Sequence, residues 1–291
     1  MRVVILGATG MLGQAVTRES LAAGLEVLQV SRTTGILWDY FESNFSNLAS
    51  KIGLIKADVL INCIGWIPQK SSGFKEQDER DAHALNVELI REIQESQDVV
   101  GFNWVQIVTD CVFSGKTGLY SEQSALDPVD LYGQTKSLGE SHMPGAMRIR
   151  SSIIGPDQIY QSGLYEWFKN QPAHSSVQGF TNHLWNGVST KAFGLLVAGL
   201  SGQRKVLPGI HHWIPSDWIS KHGLLEIFKD ELDREDVFIE KHDTGNSANR
   251  VLTTVNPEVN LELWATAGYD RIPSIEELAR EFILEDLKEG N

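Results

Sequence analysis

Cysteine is nearly absent: the 291 residues include two, Cys63 and Cys111, each in an apolar stretch. That excludes a disulfide-stapled scaffold and fits reduced thiols in a cytosolic protein. Positive charge is also short, with 25 Lys and Arg against 38 Asp and Glu and a formal net charge of −13. No dense Lys/Arg cluster offsets this deficit, which argues against nucleic acid as a partner, because phosphate neutralisation needs a concentrated basic surface. An anionic ligand would need a local basic or amide-lined pocket. Long apolar runs are missing too. Val3 to Leu6 is too short for a signal h-region, and Phe193 to Leu200 falls far below the roughly 20 residues that cross a bilayer. Repeats, low-complexity tracts and flexible linkers are lacking. The sequence therefore predicts a cytoplasmic protein with no membrane partner.

What is present is an ordinary globular composition, 42% hydrophobic and 22% charged, on a chain long enough for a large domain with a smaller lobe. Short β-branched runs at 3–6, 26–30, 59–63, 104–108 and 147–150 alternate with helical patterns at 12–23, 83–96 and 132–141. Continuous apolar strands separated by helices predict an α/β fold, a Rossmann-type doubly wound parallel sheet with its ligand crevice at the carboxyl ends of the strands. After about Ser152 the pattern changes. Residues 156–190 are rich in Gln, Asn, His, Ser and Trp with little periodicity. Beyond them, helices are expected at 190–200, from Asp217 to about Leu232 and from Pro273-Ser274, where Ser274 and Glu277 have capping-box spacing. A strand is expected at His211–Ile214. The expected division is a dinucleotide-binding domain over 1–155 and a smaller C-terminal substrate lobe over 156–291, the chain being free to interleave between them.

Gly7-Ala8-Thr9-Gly10-Met11-Leu12-Gly13 stands between the first strand and the first helix. Glycines so placed allow a sharp turn and bring backbone N–H groups up to a pyrophosphate at a helix N-terminus. A plain strand-to-helix turn is the competing reading of the glycines alone. The second strand ends at Ser31-Arg32, where an NAD site usually carries an acid on the ribose. Arg32 offers instead a planar cation for the 2′-phosphate of NADP, or is a solvated surface arginine. Tyr132 and Lys136 lie at i and i+4, one turn apart on one helix face. A nearby ammonium should lower the phenol pKa, giving a proton-transfer pair. Thr109, at the end of the 104–108 strand, would add a hydroxyl beside a substrate carbonyl. His211-His212 suggests a metal, but neighbours on a strand point to opposite faces and no ligand set accompanies them, so no metal is expected.

Together, Val108-Thr109-Asp110-Cys111-Val112-Phe113-Ser114-Gly115, Tyr120-Ser121-Glu122, Pro128 and Leu131-Tyr132-Gly133-Gln134-Thr135-Lys136 resemble the extended short-chain dehydrogenases. Among them the chain is most similar to the dTDP-4-dehydrorhamnose reductase family. Asn62-Cys63-Ile64-Gly65, Leu85-Asn86-Val87 and Arg148-Ile149-Arg150-Ser151-Ser152 carry the same resemblance, which is strong over 1–155. It implies NADPH, or NADH, and a nucleotide-linked 6-deoxysugar whose C4 keto group is reduced. By position, Tyr132 would donate the proton, while Lys136 would tune it and hold the nicotinamide ribose. Gly10, Met11 and Leu12 would meet the pyrophosphate, with Gly7, Thr9 and Gly13 shaping the turn. Ser31 and Arg32 would meet the adenosine ribose, Asp39 and Tyr40 the adenine, and Ile64, Gly65 and Trp66 the cofactor cleft. Thr109 and Asp110 would approach the sugar. The family usually has tyrosine and tryptophan where Cys111 and Ile153 stand, so the sugar is expected to differ. Within 179–190, Asn182, His183, Trp185 and Asn186 suit sugar-nucleotide recognition or a self-satisfied structural loop. The resemblance allows a homodimer. Competing readings are an epimerase or dehydratase on the same fold, disfavoured because Cys111 stands where dehydratases place Glu, and a non-catalytic NADP-binding subunit like the accessory subunit of some methionine adenosyltransferases.

Overall fold

A strand that is apolar at every position has to be covered on both faces, and the strands of the first half are built that way. The computed structural model describes residues 1–52, 57–159, 161, 163–203 and 206–289. The chain runs β1 (Arg2–Leu6), α1 (Met11–Ala22), β2 (Glu26–Ser31), β3 (Ile36–Leu37), α2 (Phe45–Ile52), β4 (Val59–Asn62), α3 (Lys75–His83), α4 (Leu89–Val100) and β5 (Asn103–Val108). It continues through α5 (Leu131–Glu140), β6 (Met147–Arg150), β7 (Ile153–Ile154), α6 (Leu164–Lys169), β8 (Ser176–Phe180), β9 (His183–Trp185), β10 (Val188–Ser189) and α7 (Thr190–Gln203). Last come β11 (Gly209–His212), β12 (Ile219–Ser220), α8 (Lys221–Glu231), β13 (Phe238–His242), β14 (Ala248–Asn249), α9 (Pro257–Thr266) and α10 (Ile275–Glu289).

Seven strands form one parallel sheet in the order β11-β6-β5-β4-β1-β2-β3. Alternation along β1 serves two cores. Val3 and Ile5 join Val16 of α1 and Phe193 and Leu196 of α7, while Val4 and Leu6 join Phe45 and Leu48 of α2 and Leu89 and Ile93 of α4. The doubly wound sheet read from the sequence is therefore the observed fold. Its order reverses between β1 and β4, and the crevice at such a switch point is where ligands bind in open α/β sheets.

The second half does not stay apart. Its own core gathers Tyr165, Phe168, Trp185, Phe228 and Phe282. Yet α7 packs along α1, β11 adds to β6 at the sheet edge, and Trp213 and Trp264 belong to the core of the first half. The chain leaves the seven-stranded sheet after Arg150 and returns to it at Gly209. Several expected boundaries move. The helix placed from His83 begins at Lys75 and passes through a π-turn at Ala84–Glu88. The strand placed at His211–Ile214 is Gly209–His212. The helix placed from Asp217 starts at Lys221, capped by the Ser220 hydroxyl, which accepts from Gly223 N at 3.0 Å. The Asp217 carboxylate instead accepts from Ile275 N at 2.9 Å and caps α10. The capping box forms as expected: Ser274 N donates to Glu277 at 2.9 Å and Glu277 N to Ser274 at 3.3 Å. No helix among the described residues is long and apolar enough to cross a membrane.

Candidate active site

The turn after β1 needs its glycines. Gly7 has φ +75°, and a Cβ on Gly13 would stand 2.1 Å from the Gly7 carbonyl oxygen, so α1 seats directly on the turn. Gly10 is the N-cap of α1, with no side-chain cap and no acid in the first turn. The first N–H groups of the helix therefore lack an intrahelical partner and favour an anion.

In front of that turn lies a cavity of about 520 Å³. Gly7, Thr9 and Gly10 form one wall, Ser31, Arg32, Asp39 and Tyr40 another, and Ile64, Gly65 and Trp66 a third. Met11, Leu12 and Gly13 stand behind the first wall at the start of α1. The cavity is lined also by Trp38, Phe41, Cys63, Gln69, Lys70, Asp81 and Leu85, which the sequence reading did not assign. Trp38 and Trp66 each hold a buried indole N–H without a partner among the described residues. Tyr40 spends its hydroxyl on Glu92 at 2.9 Å and packs edge-on against Trp38, so it offers the cavity a ring. Ser31 likewise spends its hydroxyl on the turn, accepting from Thr34 N at 2.8 Å. Arg32 is exposed and makes no ion pair among the described residues. An elongated cavity, unpaired helix N–H groups, a free guanidinium and two aromatic walls fit a dinucleotide.

The residues expected to form the proton-transfer set lie at the next strand end. Thr109 follows β5 and its hydroxyl accepts from Cys111 N at 3.2 Å. Asp130 caps α5, accepting from Gly133 N at 2.8 Å. A Cβ on Gly133 would stand 2.2 Å from the Cys111 carbonyl oxygen, so glycine lets the first turn of α5 close on the Thr109 segment. This brings the Tyr132 phenol close enough to the Thr109 hydroxyl to be influenced by it. Burial, reinforced by neighbouring Cys111, Asp110 and Asp130, pushes the phenol well above its ordinary pKa, against the pull of Thr109. The sequence argument expected Lys136 to lower it. Instead the ammonium donates to the Ile107 carbonyl at 3.1 Å, and burial depresses the lysine itself to about 8. Desolvation outweighs the pairing that i, i+4 spacing suggests.

Asn86 joins cavity and proton-transfer set. Its side chain accepts from Trp66 N at 3.0 Å and donates to the Thr135 hydroxyl of α5 at 3.0 Å. It was visible in the sequence only within Leu85-Asn86-Val87.

The loop residues divide. Trp185 is buried, with the Lys221 ammonium 5.4 Å from its ring. Asn186 exchanges two 2.8 Å hydrogen bonds with the Leu252 backbone. Asn182 donates to the Thr244 carbonyl at 2.6 Å, and the His183 ring meets the Thr244 hydroxyl at 3.1 Å. These three brace the 243–252 segment rather than approach Thr109. Ile153 is half-buried on β7 and packs against the main core. Cys111 Sγ accepts from Arg250 at 3.6 Å, and Asp110 lies buried between the Arg250 and Lys221 charges. The sequence had singled out neither Arg250 nor Lys221. His211 and His212 part company: His211 meets the Leu207 carbonyl, while His212 is buried between Arg150 and the Thr253 carbonyl.

Residues 1–154, more than half of the chain, match the family described as "RmlD substrate binding domain". Methionine adenosyltransferase 2 subunit beta of Xenopus tropicalis is 31% identical over 240 residues, covering 77% of this chain and 70% of that one. The Bacillus subtilis spore coat polysaccharide biosynthesis protein SpsK is 29% identical over 168 residues, 56% of this chain and 54% of its own length, so the match spans about half of that relative. Among solved structures, Bacillus anthracis dTDP-4-dehydrorhamnose reductase in complex with NADP superposes with a TM-score of 0.79 at 19% identity, over 98% of this chain and 99% of that one. Fold, motifs and family match agree: the chain belongs to the RmlD substrate-binding-domain family of the extended short-chain dehydrogenases.

Proposed function

We propose that the protein is an NADPH-dependent reductase of the C4 keto group of a nucleotide-linked sugar, with NADH a weaker alternative. The observation that carries this reading is the placing of Tyr132 and Lys136 on one helix that Gly133 closes onto the Thr109 segment and that Asn86 ties to the cavity at the switch point. The α1 N-terminus would receive the pyrophosphate, Arg32 the 2′-phosphate, and Asp39 with the Tyr40 ring the adenine side. When bound, the nicotinamide supplies a hydride to the carbonyl carbon. The protein's part is the proton. A phenol whose pKa is raised by burial stays protonated at working pH and can donate to the oxygen as charge builds there. Thr109 orients that phenol and offers the oxygen a second hydrogen bond. The Lys136 ammonium, fixed by the Ile107 carbonyl, sets a positive field beneath the site and is placed to hold the nicotinamide ribose.

A second reading, a non-catalytic NADP-binding subunit, is favoured by the 31% identity to the methionine adenosyltransferase subunit. Titration with NADPH and NADH, followed by NADPH oxidation with a panel of 4-keto sugar nucleotides, separates the two. Binding with turnover is expected. Binding without turnover on any panel member would select the subunit, and no binding would remove both.

A further inference from the structure

Two cations stand on the substrate side of Thr109 and Tyr132 in a chain whose net charge is −13. Lys221 opens α8 from beneath the Ser220 cap, and its ammonium lies over the Trp185 ring. It makes no hydrogen bond or ion pair among the described residues; burial lowers its pKa, and of the neighbouring charges Asp110 raises it and Arg250 lowers it further. Arg250 is held by the Phe113 carbonyl through Nε at 3.1 Å and by Cys111 Sγ through Nη1 at 3.6 Å. Its Nη2 has no partner among the described residues. The Cys111 thiol, pushed up to about 12 by burial, adds no negative charge at neutral pH. One buried carboxylate, Asp110, therefore answers two cations, and the cluster is left with positive charge.

The construction is deliberate rather than peripheral. Asn186 grips the backbone of Leu252, and β14 pairs with β9, so the strand that ends in Trp185 and the residue after it fix the segment carrying Arg250. Lys221 is kept over Trp185, an arrangement that stabilises an ammonium without neutralising it. Arg250 touches Cys111, two residues after Thr109 and close enough to act on the Tyr132 phenol. The excess positive charge thus faces the reacting end of a sugar rather than the pyrophosphate wall at Gly7–Gly10.

We propose that Lys221 and Arg250 form an anion subsite for a carboxylate on the sugar, so that the substrate is a nucleotide-linked keto-uronic acid rather than a neutral deoxysugar. This rests on the reductase reading for its reaction, but not for its test. A guanidinium with one free edge and an ammonium that lacks an acceptor match a carboxylate's two oxygens.

The test is calorimetric titration of the NADPH-saturated protein with UDP-glucuronic acid and UDP-glucose, and with the matching dTDP pair. The members of each pair differ by one carboxylate. The acid is expected to bind at least about tenfold tighter, the effect of a single charge-assisted hydrogen bond. Lys221→Met should reduce that preference to less than about threefold, whereas Lys221→Arg should retain most of it. NADPH affinity, read in the same titrations, reports whether each variant is folded. Equal affinity for acid and neutral sugar would overturn the proposal, as would a loss in Lys221→Met that falls equally on both, which would assign the cations to the diphosphate. Absence of NADPH binding would instead strike the reductase reading.

Discussion

The two sides of the site are built on opposite plans. The cofactor side pairs a backbone turn at Gly7–Gly10 with aromatic and polar side chains, all within Gly7–Leu85. Its candidate anion site is a helix terminus, and two exposed cations, Arg32 and Lys70, line it. The substrate side is made of side chains, Asp110, Tyr132, Trp185, Lys221 and Arg250, brought together from segments scattered from the end of β5 to the region after β14. A dinucleotide presents the same pyrophosphate in every relative, and backbone N–H groups recognise it without side-chain specificity. A sugar is distinguished by its substituents, and only side chains can be exchanged to follow them.

That contrast predicts that the two sides can be broken separately. Tyr132→Phe removes the proton donor but leaves the ring that packs against the Thr109 segment. It should lower kcat by roughly 10²- to 10⁴-fold, the range of general acid–base contributions, with NADPH affinity in a fluorescence titration changed little. Wild-type turnover in this variant would take the phenol out of its role. A smaller effect is expected on the other side. Arg32→Asp puts a carboxylate where a 2′-phosphate would sit and one suited to ribose hydroxyls. The ratio of NADPH to NADH affinity should fall by about tenfold or more, with substrate affinity preserved. An unchanged ratio would make Arg32 a surface residue.

The same contrast explains what could be read from the sequence. The sheet was legible because Val3–Leu6 and Val59–Ile61 are apolar at every position, and the turn because its glycines lie between a strand and a helix. Tyr132 and Lys136 were visible through helical spacing. Spacing said nothing of desolvation, which governs both groups once Gly133 has closed α5 onto Cys111. Asp217 was expected to open a helix; its carboxylate instead holds the start of one more than fifty residues downstream. Lys221 and Arg250 carried no local signal. A lysine after a serine cap and an arginine in a polar loop read as surface until the fold sets them against Asp110. Asn182, His183 and Asn186 could be read either as a sugar-nucleotide loop or as a self-satisfied one, because their partners in 243–252 carry no local signal.

The smallest predicted effect tests the seam between the halves. His212, 1% exposed on β11, receives a hydrogen bond from Arg150 at 3.0 Å through Nε2 and donates Nδ1–H to the Thr253 carbonyl at 2.6 Å. Arg150 is itself paired with buried Glu140. Burial first, and then the Arg150 charge, depress the His212 pKa to about 4, with Glu122 pulling weakly the other way. Unfolded, the ring titrates near 6.5. Between those values the unfolded chain binds a proton that the native ring refuses, so stability should fall as pH drops from about 6.5 to about 4 and be insensitive to this group above. The loss is on the order of 1–3 kcal/mol. His212→Gln can accept from Arg150 and donate to Thr253 without titrating. Urea denaturation at pH 7.5, 6, 5 and 4.5 should therefore show wild type losing stability faster than the variant below pH 6.5. Parallel curves would mean that His212 is not the group linking acid to the junction of sheet and lobe, and that the ordinary carboxylates carry the whole dependence.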